Sequence, residues 1–561
     1  MSEVEVLHQD DRVASDDVWH LAVPLSSRSW ELTGTTAFTD DQLPADIGAL
    51  NTEFDGATSW AFEQSPSGAG SHRRLLAHQR TLYWNDTVTG ALSFGTVGLR
   101  ALPYRREALA ATANLVTSVF GTDVGTSERT EGGYADVDAD GDGTPDGDVW
   151  ITSGRATLDA TVFYVATEHR DAFGNVTTVT YDGDALVVET LVDPAGLTTS
   201  VDIDYRTLRP ATLTDPSATV TEAAFDPLGR VVGTSVRNGN EGDAAGAFSA
   251  TFTYDTSALP ASVHVQQRTE HGGTQWQESW VYSDGGGNVV QTKAQAAPGD
   301  ASVVVSGVLS TVASDPRFIG TGRTIVNNKG YAIKQYEPFF STTSDYEDED
   351  ELVMWGQASV FEYDPIGRNT KQTLPDGNVR MWTYGPWRVQ AYDEEDNLVG
   401  GDHEGTPTTT DLDSLGRVYQ STVTPDGTAQ HVTKLVLDVQ GNVEQVVDPR
   451  GNTIQVQRFD PLGRPLFAGS ADEGYDASAS PPNGKGETRV WPAVDGQSVK
   501  TWRSGSLLLH RSYDALRRPV TLTVDEGSGS RLVQLTLYGN AIIGVPASDF
   551  AKGRPWQVYD W

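Results

Sequence analysis

Asp171-Ala172-Phe173-Gly174-Asn175, then Val176-Thr177-Thr178-Val179-Thr180-Tyr181, then Asp182, reads as a turn, a strand and the start of the next turn. The interval of eleven persists through Asp193, Asp204, Asp215 and Asp226, with Asp193-Pro194-Ala195-Gly196 and Asp226-Pro227-Leu228-Gly229-Arg230 heading later copies. Eleven is also a period of supercoiled helices, but a helix cannot carry Gly and Pro at a fixed place in each repeat. Asp first, Pro second and Gly fourth are the residues of a type I turn. The remaining ~7 residues span ~23 Å as a strand at about 3.3 Å per residue. The pattern predicts an all-β chain, a meander of antiparallel hairpins with little helix.

The signature returns with looser spacing. Tyr363-Asp364-Pro365-Ile366-Gly367-Arg368 is followed by Asp413-Ser414-Leu415-Gly416-Arg417 and Asp438-Val439-Gln440-Gly441-Asn442. Asp448-Pro449-Arg450-Gly451-Asn452 and Phe459-Asp460-Pro461-Leu462-Gly463-Arg464 come next, and Tyr513-Asp514-Ala515-Leu516-Arg517-Arg518 has lost its glycine. One Asp-Pro-x-Gly turn says little, but this many copies resemble the YD repeats of the Rhs family: an aromatic, Asp, two residues, Gly, then Arg or Asn. In such a unit the aromatic ends a strand and stacks on a neighbouring hairpin. Asp caps the turn, and Gly takes a positive φ.

A second set of residues narrows the resemblance. It comprises Pro316–Thr324, Asn327-Asn328-Lys329-Gly330, Gln335–Phe340, Gly385-Pro386-Trp387-Arg388, Asp204–Pro210, Trp280–Gly285 and, near the start, Trp19-His20-Leu21, Ser27–Leu32 and Thr81–Trp84. Together these resemble the C-terminal half of the B component of bacterial insecticidal toxin complexes, over roughly residues 15–400. The later YD repeats resemble the start of the C component. The resemblance implies a section of a large curved or hollow shell of β-hairpins that encapsulates a toxin segment. The implied partners are the remaining shell components: an upstream B part carrying a propeller and a downstream C part carrying the toxin segment. A pore-forming A component is implied through the part absent here.

The chain also departs from that pattern. No propeller region is recognisable, and Asp448 and Asp460 sit inside ordinary repeats with no self-cleavage core after them. The sequence therefore reads as a middle section, itself non-catalytic. Residues 1–20 carry acidic charges and no apolar core, so no secretory leader is expected. Release by a non-classical route from the cytoplasm is the expectation.

Four regions are predicted. Residues 1–130 are β-rich with one helix around Tyr104–Phe120, where Arg105–Ala111 favours helix. Residues 131–240 hold an acidic loop and the eleven-residue repeats. Residues 241–360 carry longer strands and loops, with the acidic stretch Asp345–Glu351 read as a solvated loop. Residues 361–561 are YD repeats interrupted by a loop near 471–486. A net charge of −37 argues against a sequence-independent nucleic-acid binder and suits a soluble particle. Cysteine is absent, which excludes disulfides, zinc–cysteine sites and thiol catalysis. No apolar run approaches the length of a membrane-spanning helix, so no membrane partner is expected.

One constellation has metal-ligand spacing: Asp136-Val137-Asp138-Ala139-Asp140-Gly141-Asp142-Gly143-Thr144-Pro145-Asp146. Alternating carboxylates can wrap a hard cation, so Asp138, Asp140, Asp142 and Asp146 would hold a structural Ca2+ with the Thr144 carbonyl. An acidic surface turn is the plain alternative. The bidentate Glu of an EF-hand is missing, since its place is Val149. There is no His-Glu-x-x-His, no nucleophile elbow and no phosphate loop. His78 reads as a surface or packing histidine. Two other functions stay open: a secreted or cell-surface adhesion or carbohydrate-binding YD module, and a glycosidase needing two converging carboxylates.

Overall fold

The computed structural model describes residues 2–7, 22–35, 47–64, 67–138, 146–239, 241–354, 356–425, 429–476, 485–504, 507–527, 529–538 and 555–560. Nearly all of them lie in antiparallel strands and the turns between them. The chain divides into two compact units, one made of residues 1–198 and 434–561, the other of residues 199–433.

The first unit opens with a seven-stranded sheet. Val23–Thr33 pairs with His72–Tyr83, which pairs with Pro103–Ala111, which pairs with Val149–Thr152. A helix was expected over Tyr104–Phe120; instead the segment splits. Pro103–Ala111 is a strand, Thr112 caps the turn, and only Ala113–Phe120 is helical. Arg and Ala favour helix, but Glu107, Leu109 and Ala111 fall on alternate positions and are all buried. Pairing with a strand on each side overrides local propensity, and a bulge at Ala110 breaks the alternation so that Ala110 is buried as well. The Thr112 side chain accepts the Leu115 N–H at 3.1 Å, so the helix starts where a capping residue allows it.

That helix buries Leu115, Val116, Val119 and Phe120. They pack with Phe62 and Val149 and with Leu466, Trp491 and Val499 of the later strands into one apolar cluster. Around it run two meanders. Arg155–Asp159, Val165–Arg170, Val176–Tyr181 and Val188–Val192 pair in succession. So do the strands from Val443–Val447 to Pro555–Asp560.

The second unit is likewise built from consecutive hairpins. Arg209–Thr214 to Val289–Ala296 form one run, and Thr324–Val326 to Val418–Val423 another. Its fully buried apolar cluster is small: Tyr336, Phe339 and Leu352, with Ile325 and Ala358 against them. In Asn369–Thr373 every residue is half-buried. Along its strands most residues are half-buried or exposed, as in Val220–Phe225 and Val418–Val423. Many sheet faces therefore stay open to solvent, and stability leans on cross-strand pairs and turn hydrogen bonds.

Asp345–Glu351 is not the solvated loop its charge suggests. Glu347 is buried beside Lys293, and Glu349 opens a short helix, Glu349–Leu352, while bonding Lys334 and Tyr336. A basic residue on a neighbouring strand makes burial of one carboxylate affordable.

Each turn glycine takes the positive φ that the repeat requires, for instance Gly367 at 92° and Gly416 at 76°. A Cβ on Gly416 would meet nothing within 4 Å, whereas one on Gly367 would collide with the Tyr331 ring. Gly416→Ala is expected to cost about 1–2 kcal/mol of left-handed strain alone. Gly367→Ala should cost distinctly more, and paired urea melts of the two variants check the order.

Candidate functional site

The repeated turn is the most developed polar device of the molecule. In the copy at Asp364 the backbone N–H groups of Ile366 and Arg368 both donate to Oδ1, at 3.1 and 2.9 Å. Arg368 Nε donates to Oδ2 at 2.7 Å. Asp226, Asp413 and Asp460 repeat this arrangement with Arg230, Arg417 and Arg464. Where Asn replaces Arg, its side-chain amide fills the same place, as in Asn175 on Asp171, Asn442 on Asp438 and Asn452 on Asp448. The motif's final Arg or Asn follows from this, since both put an N–H donor at the reach of Oδ2.

The tyrosine of the next hairpin completes the clasp. The Arg368 guanidinium lies 4.3 Å from the centre of the Tyr384 ring, and the Tyr384 hydroxyl donates to the Asn369 carbonyl at 2.8 Å. Arg230 with Tyr254 does the same at 4.4 Å, with a bond to the Val231 carbonyl at 2.8 Å. Arg518 with Tyr538 repeats it at 3.9 Å, with a bond to the Pro519 carbonyl at 3.1 Å. Each hydroxyl thus reaches the residue just after the arginine of the preceding turn. The tyrosine both stacks on the cation and ties one hairpin to the next.

The copy at Asp514 lacks glycine and keeps the turn at a cost, as do those at Asp182 and Asp215 with Ala185 and Ala218. Arg517 stands where glycine is expected, with φ 59°. Its side chain is held by Asp495 at 2.8 Å and lies over Phe173 and Tyr513. Packing and an ion pair offset the left-handed strain.

The exposed turn carboxylates bear on the acid stability of the fold, whereas burial pushes the Asp460 carboxyl the other way, up. The Arg417 backbone N–H holds Asp413 below the usual carboxylate range, opposed by partial desolvation and aided by the guanidinium. The Asn452 backbone N–H does the same for Asp448. A depressed folded pKa gives stability that is present above the unfolded value, about 3.9, and lost as pH falls through the lower folded values. Thermal melts are therefore expected to hold steady down to about pH 4 and to fall below it. A loss centred near neutrality would assign the acid limit to other groups.

Of the four candidate calcium ligands, Asp140 and Asp142 lie outside the described residues. Asp138 follows the buried Val137, and its backbone carbonyl accepts Arg80 Nη1 at 2.9 Å. Asp146 lies near Asp148, whose carboxyl is pushed up by burial, an effect that Asp146 adds to. Asp148 itself accepts the Ala113 N–H at 2.8 Å at the start of the helix. Among the described residues no group of three or more metal-ligating side chains comes together.

His78 is buried, not on the surface, edge-on to Trp150 with ring centres 5.0 Å apart. Burial, then the charges of Arg28 and Arg80, lower its pKa to about 4. It is a neutral packing group at physiological pH. The turn carboxylates of Asp226, Asp364, Asp413 and Asp460 accept turn N–H groups and an arginine, and those of Asp171, Asp438 and Asp448 turn N–H groups and an asparagine. Sequence reasoning named the Asp, Gly and aromatic roles but missed the coupling of Arg at one turn to Tyr of the next hairpin. The recurring Arg after Gly was the available signal.

No protein-family profile matches the chain, and no curated protein does. Solved structures do. The crystal structure of TcdB2–TccC3 is 21% identical with a TM-score of 0.81, and covers 100% of this chain and 29% of that one. The Photorhabdus luminescens Tc holotoxin pore is 19% identical with a TM-score of 0.82, and covers 100% of this chain and 30% of that one. TcdB2–TccC3 without its hypervariable C-terminal region is 20% identical with a TM-score of 0.81. The chain thus shares the fold of these toxin-complex structures over its whole length, and spans under a third of theirs.

Proposed function

We propose that this chain is a structural section of a YD-repeat shell that encapsulates a toxin segment in a toxin-complex-type delivery system, and that it is itself non-catalytic. The observation that carries this reading is the full-length match in fold to TcdB2–TccC3. Repeated Asp–Arg–Tyr clasps fit the role, because they join hairpin to hairpin without needing a filled core on either side. Its partners would be the remaining shell components and, through them, a pore-forming component. Release would follow a non-classical route.

Small-angle scattering of the purified chain tests the reading. A filled globule of this length has a radius of gyration of about 24 Å. The proposal expects a clearly larger value, with short interatomic distances depleted. The compact value would overturn it and favour a filled β domain with a binding surface.

A further inference from the structure

We propose that an arginine-lined groove in the first unit binds a compact multivalent oxyanion of the pyrophosphate class. The groove is open and is lined by Arg105, Arg106, Arg155, Arg170 and His169, with Asp171 as the one carboxylate of its wall. Such a concentration of positive charge stands out in a chain of net charge −37.

The backbone brings these side chains together. Arg155 and Arg170 are direct cross-strand partners in the hairpin of Arg155–Asp159 and Val165–Arg170. Directly opposed residues share a face, and like charges so placed destabilise a sheet unless something lies between them. The Ser153 N–H donates to the Arg106 carbonyl at 3.0 Å, and the Arg106 N–H donates to Ser153 Oγ at 3.0 Å, which sets Arg106 beside the same hairpin.

The negative groups nearby are already committed. Asp171 accepts the N–H groups of Phe173 and Asn175 on one oxygen and the Asn175 amide on the other. The buried Glu107 is shared between Arg80 and Arg105. Glu168 stands 4.0 Å from Arg170 and accepts the Thr157 hydroxyl at 3.2 Å. Arg155 donates to the Tyr104 hydroxyl at 2.5 Å and Arg170 to the Gly174 carbonyl at 3.0 Å, neither of which neutralises a charge. The exposed Arg106 side chain makes no hydrogen bond or ion pair among the described residues. Arg155 and Arg170, the latter only loosely paired with Glu168, therefore keep spare donors on one face of a groove that Arg106 also borders, a geometry that suits several oxygens on one small ligand.

Size follows from the rest of the charge. A long polyanion sets more charge against the chain's net charge of −37 than a compact ligand does. A compact dianion or trianion keeps that repulsion small.

The test is calorimetric titration of the whole chain with inorganic pyrophosphate at neutral pH and physiological salt. One saturable site is expected, weakened at least about tenfold, or ~1.4 kcal/mol, in each of Arg106→Gln and Arg155→Gln. Arg106→Gln removes no bond of the fold, so its melting temperature should match the parent's and keep the comparison valid. Inorganic sulfate, with fewer oxygens to offer, should bind more weakly. No saturable heat at millimolar pyrophosphate would overturn the proposal. So would undiminished binding in the double variant, or sulfate binding as tightly as pyrophosphate.

Discussion

Lys293→Ala is expected to destabilise the second unit by about 3–5 kcal/mol, the cost of leaving a buried carboxylate without its partner. Lys293 sits on Val289–Ala296 with a side chain 0% exposed, paired with the Glu347 carboxylate. Around that pair a strap is sewn to the strand. Gln291 donates to the Glu347 carbonyl at 3.2 Å and accepts the Glu347 N–H at 2.9 Å. Ser341 Oγ donates to the Glu347 carboxylate at 2.7 Å, and Tyr282 donates to the Ser344 carbonyl at 2.8 Å. The small apolar cluster of this unit leaves little reserve to absorb the loss. Lys293→Met combined with Glu347→Leu removes both charges and should recover most of the stability. Urea unfolding followed by a probe in this unit reads all three proteins. A change under about 1 kcal/mol in Lys293→Ala would mean the strap is not held by the pair.

Trp491→Ala is expected to cost about 3–5 kcal/mol in the first unit. Trp491 is 1% exposed and lies at the centre of the largest apolar cluster. It meets Phe120 edge-on at 5.4 Å and Tyr134 at 5.1 Å. Its indole N–H donates to the Glu128 carbonyl at 3.0 Å. One side chain therefore joins the strand Glu487–Pro492 to both short helices, Ala113–Phe120 and Thr126–Glu131. Trp491→Phe keeps most of the apolar surface and loses the hydrogen bond, so it should cost about 1–2 kcal/mol. Limited proteolysis within residues 112–134 should speed up sharply in Trp491→Ala and little in Trp491→Phe. Equal cleavage in both would show that the ring's bulk does not hold the helices down.

Neither site could be read beforehand. Trp491 alternates with Arg489 and Glu487 along its strand, so the pattern does not mark it as buried, and the helices it holds lie some 360 residues earlier in the chain. Lys293 and Glu347 carry no local mark at all. The acidic run around Glu347 resembles a solvated loop because its other members are indeed solvated or helical. The split of Tyr104–Phe120 into strand and helix has the same origin, since composition speaks for helix there and only the flanking strands speak against it.

What the sequence alone determined is the repeat. Asp, Gly and a following Arg or Asn act within five residues, so turn type, positive φ and hairpin succession are local chemistry and can be read directly. The resemblance in fold to toxin-complex structures follows from the same local signal repeated along the chain. Tertiary structure alone decided which tyrosine lies on which arginine, which carboxylate is buried with Lys293, and which arginines share a groove. Those outcomes depend on register between strands, and register is set by the summed burial and pairing of whole hairpins, not by any short stretch of residues.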